Sequence, residues 1–297
     1  MHQNEMLMNR NIPSKTLLAL AFLACLVTFS ACKKDYDLTA TQKTMLENQA
    51  FMGFVADKGW QIEIVKDDKY YLELEYSVYL DKYLIVKLNE GEANQKVLSL
   101  SVNSVGTLPS GTILKARVHV VDLQSCTLKG GCTTTVKGVF DDMALSLVGG
   151  AACVGGVFSE SCTVSLDEGT TMVAFDCFGD FSLTAENDSH CTGNIVPKNS
   201  DCAFNVSLNH GATLVNGANC TIDKASVKAL DNSQLNISYT TVNEEMELTL
   251  DDSEATVRCE FAAKVEGTLT KNAVLYYYGA PDFSELSCDE SSVLIGL

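Results

Sequence analysis

Val206, Val227, Leu248 and Leu269 follow one another at steps of 21 residues, and this regularity limits the possible folds more than any other property of the chain. The first three open an apolar-x-apolar pair (Val206/Leu208, Val227/Ala229, Leu248/Leu250) that runs into a polar turn: Asn209-His210-Gly211, Asp231-Asn232, Asp251-Asp252-Ser253. Upstream the register continues with some slippage through Leu145/Leu147, Val164/Leu166 and Leu183/Ala185. A unit this short cannot bury its own apolar side, whereas stacked copies can, so the period predicts a solenoid. At ~3.3 Å per residue, one repeat makes a coil of about three short faces, as in a parallel β-helix. A leucine-rich repeat needs a Leu/Asn frame that the chain lacks. A β-sandwich also gives short strands between turns, but the equal spacings favour stacked coils. The predicted class is all-β, with β-solenoid repeats over 123–297.

Residues 51–122 read as an N-terminal β segment. Ile62, Ile64, Leu72, Leu74 and Tyr76 alternate with Glu63, Glu73 and Glu75, a period of two that marks strands with a solvated carboxylate face. Asp67-Asp68 and Leu108-Pro109-Ser110-Gly111 are turns. Further strands are expected at 83–88, 96–102 and 113–121, with a short helical piece at Val78–Tyr83. These strands would cap the solenoid so that its end rung is not an open edge.

Residues 16–31, TLLALAFLACLVTFSA, form an apolar stretch of secretory type behind Arg10 and Lys15, too short for a comfortable membrane span. It ends Phe29-Ser30-Ala31-Cys32, which resembles a bacterial lipoprotein signal; ordinary secretion with Cys32 as a bystander is the alternative. That resemblance implies a signal peptide at 1–31, acylation of Cys32 with palmitate-type chains, a lipidated tether over 32–50, and attachment to the outer membrane. Several acyl chains make such an anchor stable. Lys33-Lys34-Asp35 is similar to the charged start of surface-exposed lipoproteins of Bacteroidetes-type bacteria.

Charge excludes some partners. Lys and Arg total 21 against 38 Asp and Glu, a net charge of −17, and the arginines are Arg10, Arg117 and Arg258. A nucleic-acid partner or a basic membrane-binding face would need a dense cationic surface. No catalytic, cofactor or metal constellation emerges. His119 alternates with Val118 and Val120 and reads as a solvated strand residue. His190 and Cys191 point to opposite faces as strand neighbours. Asp188-Ser189-His190 cannot form a nucleophile–base chain from three consecutive side chains. The acid pairs Asp67-Asp68, Asp141-Asp142 and Asp251-Asp252 read as turn residues. The expectation is a non-enzymatic protein without a cofactor. The alternative is a carbohydrate-active β-helix that binds or cleaves polysaccharide, although this charge opposes a polyanionic substrate.

Beyond Cys25 and Cys32 the chain has ten cysteines. Cys153, Met172, Cys191, Leu214 and Leu235 occupy equivalent repeat positions and form one expected inward column, with Cys132 placed 21 residues before Cys153. Rungs ~4.8 Å apart fall inside the Cα window of a disulfide, which singles out Cys132–Cys153 as a pair. Buried free thiols are the equal alternative.

The segments FMGFVADKGWQIEIVKDDKYYLELEYSVYLDKYLIVKLNEG, LKGGCTTTV, LVGGAACVGG and LNHGATLV, with the closing LYYYGAPDFSEL, resemble the auto-transporter adhesin head GIN domain family, a domain of unknown function common in Bacteroidetes lipoproteins. The resemblance covers about residues 51–297 and includes the terminal Tyr277-Tyr278-Gly279-Ala280-Pro281. It implies a right-handed parallel β-helix on the cell surface, acting as an adhesive or structural module toward a glycan or protein of a host or neighbouring cell. Cys, Ala or Asp stand where the family has Ser-Gly-Gly-Ser turns, so no binding residue carries over. The polar turns around Asn209, Asp231 and Asp251 would form rows along the solenoid, suited either to binding or to hydration alone.

Overall fold

The computed structural model describes residues 36–91, 95–103 and 107–297. Leu38–Leu297 form one compact unit. The predicted leader and the lipidation site Cys32 lie outside the described residues.

The alternating N-terminal sequence forms β1 (Ala40–Met45), β2 (Gly53–Ala56), β3 (Gln61–Lys66), β4 (Tyr71–Ser77), β5 (Leu84–Glu90), β6 (Lys96–Val102) and β7 (Leu114–Val120). The short helical piece expected at Val78–Tyr83 is present as a 3-10 helix, Val78–Lys82. The repeat region forms β8 (Ser125–Lys129), β9 (Thr133–Val148), β10 (Ala152–Leu166), β11 (Thr171–Cys177), β12 (Asp180–Ala185), β13 (His190–Ile195), β14 (Phe204–Leu208) and β15 (Thr213–Asn216). It continues through β16 (Cys220–Leu230), β17 (Gln234–Asp251), β18 (Glu254–Cys259), β19 (Lys264–Thr270), β20 (Val274–Tyr278), β21 (Asp282–Cys288) and β22 (Val293–Gly296).

Two long ladders run along the molecule. The first has the order β5-β6-β2-β8-β9-β10-β12-β14-β16-β17-β19-β21. The second has the order β1-β4-β7-β3-β9-β10-β11-β13-β15-β17-β18-β20-β22. The long strands β9, β10 and β17 bend at a corner and serve both. Every pairing is parallel except β1–β4, β4–β7 and β5–β6. The protein is therefore an all-β solenoid whose antiparallel strands gather at the N-terminal end.

That end differs from a simple cap. The rung β2/β3 sits between β6/β7 and β8/β9, so the chain lays down one rung, moves outward to build β4 to β7, and returns past the first rung to start β8. Within the segment expected to be a tether, Ala40–Met45 is instead a strand that pairs antiparallel with β4. Its sequence ATQKTM has no apolar alternation to betray a strand, and an edge strand is held largely by backbone hydrogen bonds.

The apolar columns follow the repeat with one slip. Leu145, Val164, Leu183, Val206, Val227 and Leu248 are register partners in series. Coil offsets range over 19, 21 and 23 residues. The last 21-residue step does not hold: Leu269 pairs with Leu250, and Gly267 lies against Leu248. A slip of two keeps every side chain on its face. Gly267 has φ +122°, and a Cβ there would lie 2.1 Å from the Leu248 carbonyl oxygen, so only glycine fits. The second inward column runs Cys153, Met172, Cys191, Leu214, Leu235, Ala255, Leu275 and Leu294. Its members from Cys153 to Leu275 are buried, and each fully buried Leu contributes about 1.5–3 kcal/mol. The rings of Phe158, Phe175, Phe181 and Phe204 form a buried row at centroid distances of 6.3, 6.0 and 5.8 Å, with Phe175 and Phe181 stacked and the other two pairs tilted.

The polar turns stack at the corner that leads into the second ladder. Glu168, Asn187, Asp188, His210, Asp231, Asn232 and Asp252 adopt positive φ, a conformation to which short polar side chains are well suited. Their backbones continue the ladder: Gly211 N–H donates to Asp231 O, and Asp231 N–H to Asp251 O.

Candidate functional site

Most of the residues singled out above have structural work. Asp251 accepts from Lys271 Nζ and Thr270 Oγ1, each at 2.9 Å, and Lys271 holds its carboxyl below the ordinary range. Asn209 accepts from the His210 N–H within its turn, and Asp231 Oδ2 lies 3.5 Å from His210 Nε2. Asp141 and Asp142 accept from Ser159 and Ser161 of the next rung at 2.8 and 2.6 Å. His190 faces outward, its ring nitrogens bonded to Thr213 and Thr192, while Cys191 is buried behind it.

The cysteine column holds from Cys153 onward but excludes Cys132. At this rung the offset is 19 residues, so the register partner of Cys153 is Thr134 and Cys132 falls two residues earlier, at the turn. Cys132 and Cys153 are both buried free thiols; burial raises the first and pushes the second up to about 12.

His119 is the clearest departure from expectation. Val118 and Val120 face inward as predicted, yet the outward His119 side chain is only 9% exposed. The Tyr71 ring, its antiparallel register partner, stacks on it at 3.8 Å and 11°. His119 Nδ1 lies 2.7 Å from Asp67 Oδ2, and Nε2 lies 3.6 Å from Glu73 Oε2. The His119 hydrogen bond, with the Asp68 N–H second, holds the Asp67 carboxyl below its ordinary range. Tyr71 and His119 meet through β4–β7 pairing across 48 residues of chain, which no local pattern announces.

These residues open a charged stretch on the outer side of the second ladder. Thr44, Glu73, Arg117, Glu63 and Thr135 are successive register neighbours across five strands. Arg117 Nε donates to Glu63 at 2.5 Å, and Nη1 lies 3.7 Å from Glu73. Lys137 also pairs with Glu63, and Lys115 reaches Glu75 at 3.2 Å. Hydrogen bonds from Lys137 and then Arg117 hold Glu63 below its ordinary value. A depression of about 730 Å³ opens here. Its charged lining is balanced: Lys43, Lys115 and Arg117 against Glu63, Glu73 and Glu75. Threonines 133 and 135, with Ala152 and Val154, line its opposite side.

From that side two uncharged rows run along the solenoid. One comprises Thr135, Val154, Val173, Thr192, Val215 and Asn236. The other comprises Thr133, Ala152, Thr171, His190, Thr213 and Gln234. The outer side of the first ladder is different. Its depression, about 580 Å³, is lined by Asp201, Asp223, Glu244, Glu245, Glu247 and Glu266, with Lys224 the sole cation in the lining among the described residues. Among the described residues no cluster of His, Cys, Asp and Glu has the geometry to hold a metal ion.

The fold has solved relatives. The chain is similar to a candidate adhesin from Parabacteroides distasonis ATCC 8503, with TM-score 0.59 and 11% identity over 88% of this chain and 95% of that one. It is also similar to a candidate lipid-binding protein from the same organism, with TM-score 0.54 and 12% identity over 89% of this chain and 98% of that one. This chain shares their fold. No family model matches it, and no curated protein matches its sequence.

Proposed function

We propose that the chain is a non-enzymatic binding module of the GIN-domain adhesin type, displayed on the cell surface and held at the outer membrane by acyl groups on Cys32. The observation that carries this reading is the placement of polar groups. The interior is filled mainly by apolar columns, with a few buried hydroxyls such as Thr170 and Ser189 near the turns, and the acidic and basic side chains stand outside on stacked rungs. A solenoid presents such a surface over its whole length, which suits extended contact with another surface. The fold likeness to a candidate adhesin supports the reading. The sequence at 1–31, which reads as a lipoprotein leader ending at Cys32, supports the anchor.

The test is a glycan and matrix-protein array with the purified full chain in detergent, run beside a polysaccharide depolymerisation assay. Binding without product release is expected; product release would overturn the non-enzymatic reading. Metabolic labelling with palmitate tests the anchor. Label is expected on the wild-type chain, and a Cys32→Ser chain that still carries it would refute acylation there.

A further inference from the structure

We propose that the charge-balanced depression and the two uncharged rows leading from it form one continuous binding face for an uncharged polysaccharide chain. The inference rests on the binding-module reading and adds the face and the class of ligand.

Charge selects the class. The chain carries −17, yet the depression is lined by three cations and three carboxylates, and the rows beyond it carry no formal charge. An anionic polymer gains no net field here and is repelled by the body of the protein; a cationic one is drawn instead to the acidic depression of the first ladder. A neutral polyol loses nothing to either effect. The ion pairs Glu63–Arg117 and Glu75–Lys115 set carboxylate acceptors beside cationic donors, and a sugar hydroxyl can both donate and accept.

The rows extend the same chemistry. Thr133, Thr135, Thr171 and Gln234 offer further hydroxyl and amide groups, while Val154, Val173 and Val215 supply apolar contact for the C–H faces of sugar rings. Val154, at the lip of the depression, is 42% exposed. Rungs at ~4.8 Å spacing repeat these groups along the solenoid axis, so a polymer lying along that axis meets equivalent contacts at successive rungs. The strands that carry the two rows, from β9 through β15, are held by parallel neighbours on both sides, so little ordering is required when the ligand docks on them.

Affinity electrophoresis and calorimetry with the full chain test this, using a dextran, a mannan and a β-glucan as neutral probes and hyaluronan and heparin as charged ones. At least one neutral probe is expected to bind, and more tightly than either charged probe. Val154→Glu and Val154→Lys should each weaken that binding about tenfold or more, because a charge of either sign would be desolvated without a partner. Thr184→Glu, on the outer side of the first ladder, should leave it unchanged. Thermal unfolding of all three variants should match the parent.

Tighter binding of a charged probe, an equal loss in Thr184→Glu, or no binding of any neutral probe would overturn the proposal. In the last case, capture of a matrix protein on the array would leave the module reading standing, whereas silence across the array would remove both. Self-association that is abolished by the Val154 variants, with no polysaccharide effect, would make this face a dimer interface and also overturn the proposal.

Discussion

The second ladder has two outer surfaces of opposite character on one continuous sheet. Over β4, β7 and β3 its outward residues alternate in sign, Glu73 beside Arg117 beside Glu63. From β9 to β15 the outward residues of the two rows are Thr, Ala, Val and His. The difference follows from how each part is built. The N-terminal strands come from non-repeating sequence, so the antiparallel β4–β7 and parallel β7–β3 pairings can each set unlike residues side by side. In the repeats, equivalent positions of successive coils stack in register at ~4.8 Å, so a charge at one position would be repeated against itself, and like charges directly opposite are destabilising. The repeats do not exclude charge altogether, since on the first ladder Lys224, Glu245 and Lys264 alternate in sign while Glu247, Glu266 and Glu285 stand in register; on the second ladder the rows from β9 to β15 avoid that repulsion by being neutral.

The largest test of this comparison lies beneath the surface, where the two parts should be alike. Leu72→Ala under the charged stretch and Leu214→Ala under the neutral rows each empty a fully buried site and should each cost about 2–5 kcal/mol in urea unfolding. A large loss from only one would mean that the parts differ in their packing as well as in their surface.

On the outside the effects should diverge. Arg117→Ala removes a partner from both Glu63 and Glu73, and is expected to cost up to about 1 kcal/mol, less at high salt. Thr192→Ala in the neutral rows should stay within about 0.5 kcal/mol and be insensitive to salt. Equal salt dependence would break the comparison.

Acid should act on one part alone. Glu63 and Asp67 have folded-state pKa values depressed from 4.5 and 3.8, so their contribution is present above those unfolded values and is lost as pH falls through the folded ones. Hydrogen exchange is expected to show β3, β4 and β7 losing protection as pH drops below the ordinary carboxylate range, after allowance for the intrinsic exchange rate. The strands beneath the neutral rows should keep theirs, and uniform loss would contradict this.

The smallest effect concerns reactivity without a change in stability. Native alkylation should label the exposed Cys288 first, followed slowly by the half-buried Cys202 and Cys220. Cys153 and Cys191, under the neutral rows, should react only after unfolding, because burial keeps both as thiols. Mass spectrometry of the labelled chain checks the order, and early labelling of Cys191 would show that the rows do not cover a dry interior.

Much of the architecture could be read from residue order because it is local. The apolar column from Leu145 to Leu248, the inward column from Cys153 to Leu235, the strand at 96–102 and the turn at Leu108–Gly111 each rest on alternation or recurrence within one or two coils. The candidate site was legible only in part: alternation exposed Glu63, Glu73 and Glu75, but their partners Arg117, Lys137 and Lys115 come from other strands. A period averaged over many coils also could not show that individual coils are shorter by two residues; one such coil moved Cys132 out of its column and another moved Leu269 by one pair.

By itself, then, the sequence determined that the chain is β, that it coils with a period near 21 and which residues face inward, since alternation and burial are properties of each short segment. Only the tertiary structure decided that β2/β3 lies inside β6/β7, that Tyr71 covers His119, and that the charges of one depression cancel while those of the other do not. Those outcomes depend on which strands become neighbours across tens of residues. Strand pairing is made by backbone groups that all residues except proline share, so the order of side chains along the chain leaves that choice open.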